Sequence, residues 1–338
     1  MVKLLSSEDV QKIIELEGED EFTRASITAM EECFKKLQNG KMEMKARAGF
    51  LFGTNCVEAM IARDATNSTA CVKTVNFHAK NRETGLPSVM ATIVLVDEKT
   101  GFPHAIIDGT YLTPLRTAAA SAVATKHLAN KKPSAIAIIG AGMVGEAHSH
   151  ALVTSLQPET VYLVDRIPQR AQKLAEKISA KYGVDAISTT AEEAAKKSDV
   201  ITTCTYGDEV VVKKDWLAPG VHINAVGADT PGKRELEDGI IQNATVVVDD
   251  LDQATTDGEI NLPIRSKTYE PEQVHARLGE VLLNQKAGRQ VDEEITIFDS
   301  TGLSVQDLEI TNLLLKTAKK HGLAKDVSFT HAIRIPKI

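Results

Sequence analysis

The densest chemical signal in the chain is an eleven-residue run, Ala135-Ile136-Ala137-Ile138-Ile139-Gly140-Ala141-Gly142-Met143-Val144-Gly145. An apolar strand runs into GxGxxG, and a helical pattern follows. Gly140 permits the tight turn, Gly142 lets backbone come close to a pyrophosphate, and Gly145 lets the helix pack against the strand. The start of that helix offers unpaired N–H groups and positive potential to phosphate. Asp165 ends the next apolar run, Thr-Val-Tyr-Leu-Val-Asp, 20 residues beyond Gly145. A carboxylate there accepts hydrogen bonds from both ribose hydroxyls and repels a 2′-phosphate, so the expected cofactor is NAD. Arg166 stands beside it and offers a guanidinium that a 2′-phosphate would also accept.

The elements that must position such a site follow from periodicity. Residues 8–38 read as two helices, the second from about Glu21 to Gln38 with a stop at Asn39-Gly40. Between Met44 and Asp108, short β-rich runs separated by turn residues predict a mostly antiparallel sheet. Thr113-Pro114 opens an Ala-rich helix to about Ala129. After Lys131-Lys132-Pro133, continuous apolar strands alternate with amphipathic helices, the pattern of a parallel sheet covered on both faces. A last helix, about Val305 to His321, is expected to return to the first domain. The fold class is therefore α/β: a Rossmann-type, doubly wound parallel sheet domain plus a discontinuous α+β substrate and dimerisation domain. The expected boundaries are 1–117 with 306–338, and 118–305.

Composition narrows the partners. The net charge is −7 and the basic residues form no block, which argues against nucleic acid. No apolar run is long enough to span a bilayer, and the N-terminus lacks a signal-peptide core, so a cytoplasmic location is expected. Cys33, Cys56, Cys71 and Cys204 show no CxxC spacing and read as free thiols. His148 and His150, two apart on a helix, point in different directions and do not read as a metal pair.

Five separated segments carry a resemblance. They are Leu112-Thr113-Pro114-Leu115-Arg116-Thr117-Ala118-Ala119, Val72-Lys73-Thr74-Val75-Asn76, Gly85-Leu86-Pro87-Ser88-Val89, Asn224-Ala225-Val226-Gly227-Ala228-Asp229-Thr230-Pro231-Gly232-Lys233 with Glu235-Leu236, and Phe298-Asp299-Ser300-Thr301-Gly302. In order and spacing they resemble the ornithine cyclodeaminase / mu-crystallin family over roughly residues 40 to 320.

The resemblance implies a homodimer paired through the first domain, with a small α-amino or imino acid as substrate. It assigns the substrate carboxylate to Arg47, Arg116 and Lys73, with Lys45 as the alternative to Arg47. Planar guanidiniums suit bidentate carboxylate binding. Lys73 would also face the reacting carbon. Asp229 matches the acid/base carboxylate beside the α-amino group. For NAD it indicates Ser88, Arg116, Thr117, Met143, Val144, Asp165, Thr205, Asn224, Ala225, Val226, Lys233 and Ser300, beside Gly140, Gly142, Gly145 and Arg166. Thr205 ends the strand Asp-Val-Ile-Thr-Thr-Cys-Thr, and ligands gather at the carboxyl ends of parallel strands.

Within the family, Glu58 speaks to substrate choice. It lies 11 residues after Arg47, where cyclodeaminases place the glutamate that receives ornithine's side-chain ammonium. Turned outward on a strand, it would only meet water. Met60-Ile61 departs from the Met-Pro usual in cyclodeaminases, and the third glycine, Gly145, resembles the dehydrogenase and reductase branches instead. The expected activity is ornithine cyclodeamination to proline and ammonia. The alternative is net oxidoreduction of alanine, iminosuccinate or a cyclic ketimine, and a third possibility is a non-catalytic binding protein.

Overall fold

The computed structural model describes residues 1–53, 55–206 and 209–328. The chain opens with β1 (Val2–Leu5), α1 (Ser7–Glu17) and α2 (Glu19–Gln38). Six strands follow: β2 (Met42–Met44), β3 (Ala48–Phe52), β4 (Asn55–Asp64), β5 (Thr69–Phe77), β6 (Val89–Asp97) and β7 (Pro103–Asp108). Next come α3 (Leu112–Leu128), β8 (Ala135–Ile139), α4 (Met143–Leu156), β9 (Thr160–Val164), α5 (Pro168–Tyr182), β10 (Asp185–Ser188) and α6 (Ala191–Lys197). The chain continues through β11 (Val200–Thr203), β12 (His222–Ala225), β13 (Thr245–Val248), α7 (Leu251–Asp257) and α8 (Asn261–Arg265). It ends with β14 (Ala276–Arg277), α9 (Leu278–Leu282), β15 (Thr296–Asp299), α10 (Ser304–Lys320) and β16 (Lys325–Val327).

Two compact units result. The first holds Met1–Phe22, Gly40–Thr113 and the described residues from Ser304 onward; the second holds Thr23–Asn39 and Pro114–Leu303. This division departs from the sequence expectation at α2, most of which groups with the second unit. The reason is packing: Phe34 meets Phe298 edge to face at 6.4 Å, and a Cβ at Gly279 would touch Gln38 and Phe34. An amphipathic pattern shows that a helix buries one face but not against what.

In the first unit the sheet order is β16-β1-β7-β6-β5-β4-β2, with β3 also on β4. All neighbours run antiparallel except β1 with β7. On β4, Glu58, Met60, Ala62 and Asp64 share one face, and α10 packs on β4 and β5. The opposite face leaves apolar groups exposed. Phe50 pairs with Val57 and Ile61 with Val72, and all four are exposed, Phe50 at 78%.

In the second unit all eight strands run parallel, in the order β10-β9-β8-β11-β12-β15-β13-β14. From β8 the order proceeds one way through β9 and β10 and the other way through β11 and β12, the doubly wound arrangement. The strands are buried from both sides, as continuous apolar runs require. The switch point, where such sheets bind ligands, lies at the carboxyl end of β8. No described helix is long and apolar enough to cross a membrane.

Candidate active site

The glycine-rich turn sits between β8 and α4, and each glycine has its own reason. Gly140 has a φ of +115°, and a Cβ there would lie 2.6 Å from the Cys204 carbonyl oxygen. A Cβ at Gly145 would lie 1.7 Å from the Gly140 carbonyl oxygen, so only glycine lets α4 approach the strand this closely. Gly142 is the N-cap of α4, makes no side-chain cap, and faces open space where a Cβ would stand. Met143 and Val144 form the first turn, and Met143 is exposed.

Asp165 follows β9 and accepts hydrogen bonds from the backbone N–H of Ala141 at 2.9 Å and of Ile167 at 2.8 Å. Its carboxylate is thus fixed to the glycine turn, while Arg166 beside it is exposed. Ser300, just past β15, is buried, and its Oγ has no hydrogen-bond partner among the described residues. An open helix N-terminus, a cradle without Cβ atoms and an orphaned buried hydroxyl together fit a dinucleotide.

The strand ends next to the turn carry the other expected residues. Thr205 gives its N–H and hydroxyl to Glu235 at 2.7 and 2.6 Å. Ala225 and Val226 are buried at the end of β12. Asn224 is fully buried with its amide turned inward, donating to Thr125 at 2.9 Å and lying 3.2 Å from His222 Nε2. That amide belongs to an interior network. Burial pushes the His222 imidazole down to about 3 and that of His148 down to about 4. Both are neutral packing groups, and His148 and His150 point to different partners, Ser121 and Tyr182.

Asp229 stands two residues past Gly227. Lys233 Nζ donates to its Oδ1 at 2.6 Å and sits 4.4 Å over the Tyr206 ring. The two residues lie four apart in the sequence, and the Asp229 side chain is 48% exposed. Arg116 and Thr117, near the start of α3, are both buried. The Arg116 guanidinium lies against Gly302, where an added Cβ would come within 2.5 Å of Nη1. Gly302 has a φ of +80°. Its N–H donates to Asp249 at 2.7 Å, and Thr301 donates to the same carboxylate at 2.9 Å. Burial raises Asp249 to about 6.

In the first unit, Lys73 is fully buried on β5 and forms an ion pair with Asp307 of α10 at 2.7 Å. A buried ammonium demands such a partner. Sequence reasoning missed Asp307, because an acid in the first turn of a helix reads as a dipole or capping residue. Glu58 turns to the covered face, not to water: its side chain is 15% exposed and lies 3.6 Å from Arg47, itself 13% exposed. Gly49 opposes Glu58, and a Cβ there would lie 2.9 Å from Glu58 Cγ. Lys45 is exposed, which leaves Arg47 as the better placed base. Ser88 is buried just before β6.

Comparison with known proteins places this chain. The ornithine cyclodeaminase/mu-crystallin family model matches residues 6–321, and the chain belongs to that family. It is 38% identical over 326 residues to an alanine dehydrogenase of Archaeoglobus fulgidus, covering 96% of this chain and 98% of that protein. It is 33% identical to an ornithine cyclodeaminase of Brucella suis, covering 96% of this chain and 88% of that one. The structure of an archaeal alanine dehydrogenase dimer with bound NAD superposes with a TM-score of 0.91 at 37% identity, covering 97% and 99% of the two chains. That of Thermococcus litoralis Δ1-pyrroline-2-carboxylate reductase with NADH and L-proline gives 0.91 at 33% identity, covering 96% and 100%.

Proposed function

We propose that this protein is an NAD-dependent oxidoreductase that moves hydride at the α-carbon of a small amino acid or its imine. The observation that carries this choice over cyclodeamination is the Arg47–Glu58 pair. It gives the Glu58 carboxylate a cationic partner from the protein itself, so Glu58 needs no substrate ammonium to justify its part-buried charge. The alanine dehydrogenase and pyrroline-carboxylate reductase relatives support the same branch. Cyclodeamination of ornithine is the second reading, favoured by the orientation of Glu58 to the same sheet face as Lys73.

NAD supplies the hydride acceptor at its nicotinamide. The chain's own residues do the rest. Arg47, Lys73 and Arg116 bind the substrate carboxylate and fix the α-carbon. Asp229, oriented by Lys233, takes the proton from the amino group as the C–N bond gains double-bond character, and returns it in the reductive direction. Glu58 orients Arg47, and Asp307 orients Lys73. Asp165 holds the adenosine ribose and selects NAD. The exposed apolar sheet face around Phe50, Val57, Ile61 and Val72 pairs two subunits into a homodimer.

Substituting Glu58→Gln tests the choice. For an oxidoreductase of a monoamino acid, activity falls less than tenfold, through loosened Arg47. For a cyclodeaminase, ornithine turnover collapses because the δ-ammonium loses its ionic partner, and that result would return the assignment to the lyase.

A further inference from the structure

Three buried carboxylates stand one behind another near the carboxyl edge of the parallel sheet, and the mechanism above uses none of them. Asp299 accepts hydrogen bonds from the N–H of Glu259 at 3.0 Å and of Ile260 at 3.2 Å. Glu259 accepts from the N–H of Glu235 at 2.9 Å and of Leu236 at 2.7 Å. Glu235 in turn accepts from the N–H of Gly227 and of Thr205, both at 2.7 Å, and from the Thr205 hydroxyl at 2.6 Å. Exposure does not exceed 2% for any of the three. Each acid thus fixes the backbone of the next, and the series ends on the two strand ends where the site begins.

We infer that Glu235 is a positioning residue for the reaction: its carboxylate clamps the ends of β11 and β12 and so sets the loop that carries Asp229. This rests on the reading of Asp229 as the proton acceptor. Three features fit a clamp better than a passive buried acid. First, its two oxygens are divided between two strands, Oε1 to Thr205 and Oε2 to Gly227. Second, Gly227 has been shaped to receive it, since a Cβ there would lie 2.4 Å from the carboxylate. Third, the loop is pinned again further on. Asn261 accepts from the Gly232 N–H at 3.0 Å and donates to the Lys233 carbonyl at 2.9 Å. Only Ala228 to Pro231 lie between these ties, and Asp229 is among them. Burial raises the Glu235 carboxyl above its usual range, while the donors from Thr205 and Gly227 oppose that shift.

A carboxylate is needed because both partners donate. Glutamine offers one oxygen and one NH2, so one of the two N–H groups would face another donor and go unsatisfied. A displacement of about 1 Å at a group in contact with substrate can cost about a hundredfold in rate.

The test uses the full-length protein, with NAD and whichever of L-alanine, L-proline or L-ornithine it turns over fastest. Glu235→Gln, Gly227→Ala and the double variant are compared by kcat, amino-acid KM and thermal melting. The clamp predicts that E235Q lowers kcat tenfold or more while KM changes less than threefold. It also predicts that the double variant is no slower than the slower single variant, because both changes break one contact. A folded E235Q with kcat within twofold of the parent overturns the proposal, and so do losses that multiply in the double variant. If E235Q does not fold, Thr205→Val removes one donor only. At saturating NAD it is expected to lower kcat threefold or more, and an unchanged kcat overturns the clamp. Asp229→Asn separates the two claims. An inactive D229N beside a fully active E235Q overturns the clamp alone, whereas a fully active D229N overturns the assignment of Asp229 on which it rests.

Discussion

Replacing Gly302 by alanine should weaken substrate binding. The new Cβ would lie 2.5 Å from Arg116 Nη1 and 3.1 Å from Nη2. Ordinary contact needs about 3.5 Å, so one of the two must move by about 1 Å. The backbone at 302 cannot yield easily, because Asp249 and Gln253 hold it: Asp249 takes the Gly302 N–H at 2.7 Å and Gln253 donates to the Gly302 carbonyl at 3.1 Å. The guanidinium is the far end of a flexible side chain and gives way. If Arg116 binds the substrate carboxylate, losing one charge-assisted hydrogen bond removes about 1.5–3 kcal/mol, or roughly ten- to a hundredfold in kcat/KM. A second effect is local, since alanine at a φ of +80° costs about 1–2 kcal/mol of stability. The assay is steady-state kinetics at saturating NAD, with NADH affinity from fluorescence titration and a thermal melt on the same sample. The expected pattern is an amino-acid KM raised by more than any change in NADH affinity, and a melting point lowered by a few degrees. A folded G302A with unaltered amino-acid KM would refute the role of Arg116.

Three other outcomes follow from the same geometry. Asp165→Ser should relax the preference for NAD(H) over NADP(H), by roughly ten- to a hundredfold from one like-charge contact; tighter NADPH than NADH binding by the parent would show that Arg166 governs instead. Asp229→Asn should keep NADH affinity and lose about a hundredfold or more in kcat, the range of a general acid/base; normal turnover would remove Asp229 from the mechanism. Sedimentation at micromolar concentration should show a homodimer, and Phe50→Lys with Val57→Lys should dissociate it; a monomeric parent would contradict the pairing assigned to the exposed sheet face.

What was legible in the sequence depended on how local its cause is. Gly140, Gly142 and Gly145 could be read directly, because the turn, the open approach and the close helix are consequences of three neighbouring positions. Alternation on β4 showed that Glu58 shares a face with Met60 and Ala62, but not that this face is covered. The packing of α10, from the far end of the chain, decides that. The same helix brings Asp307 to Lys73, a pairing invisible to spacing because the two lie on separate elements. Glu235 stands in one of the segments that carry the resemblance, but only the fold reveals it as the acceptor for two strand ends. The interior network of Asn224 is equally hidden from spacing, since its amide donates to buried hydroxyls at Thr125 and Thr202. The four residues of β1 were too few to show a period, and their pairing with β7 comes from the other end of the sheet.

The stoichiometry of NADH distinguishes net oxidation of the amino acid from cyclodeamination. The purified protein is given excess NAD and, separately, L-alanine, L-proline and L-ornithine, and NADH absorbance is followed beside the organic product. One NADH is expected for each molecule of a monoamino acid oxidised. Proline and ammonia appearing from ornithine on catalytic NAD, with no net NADH, would contradict the oxidoreductase reading.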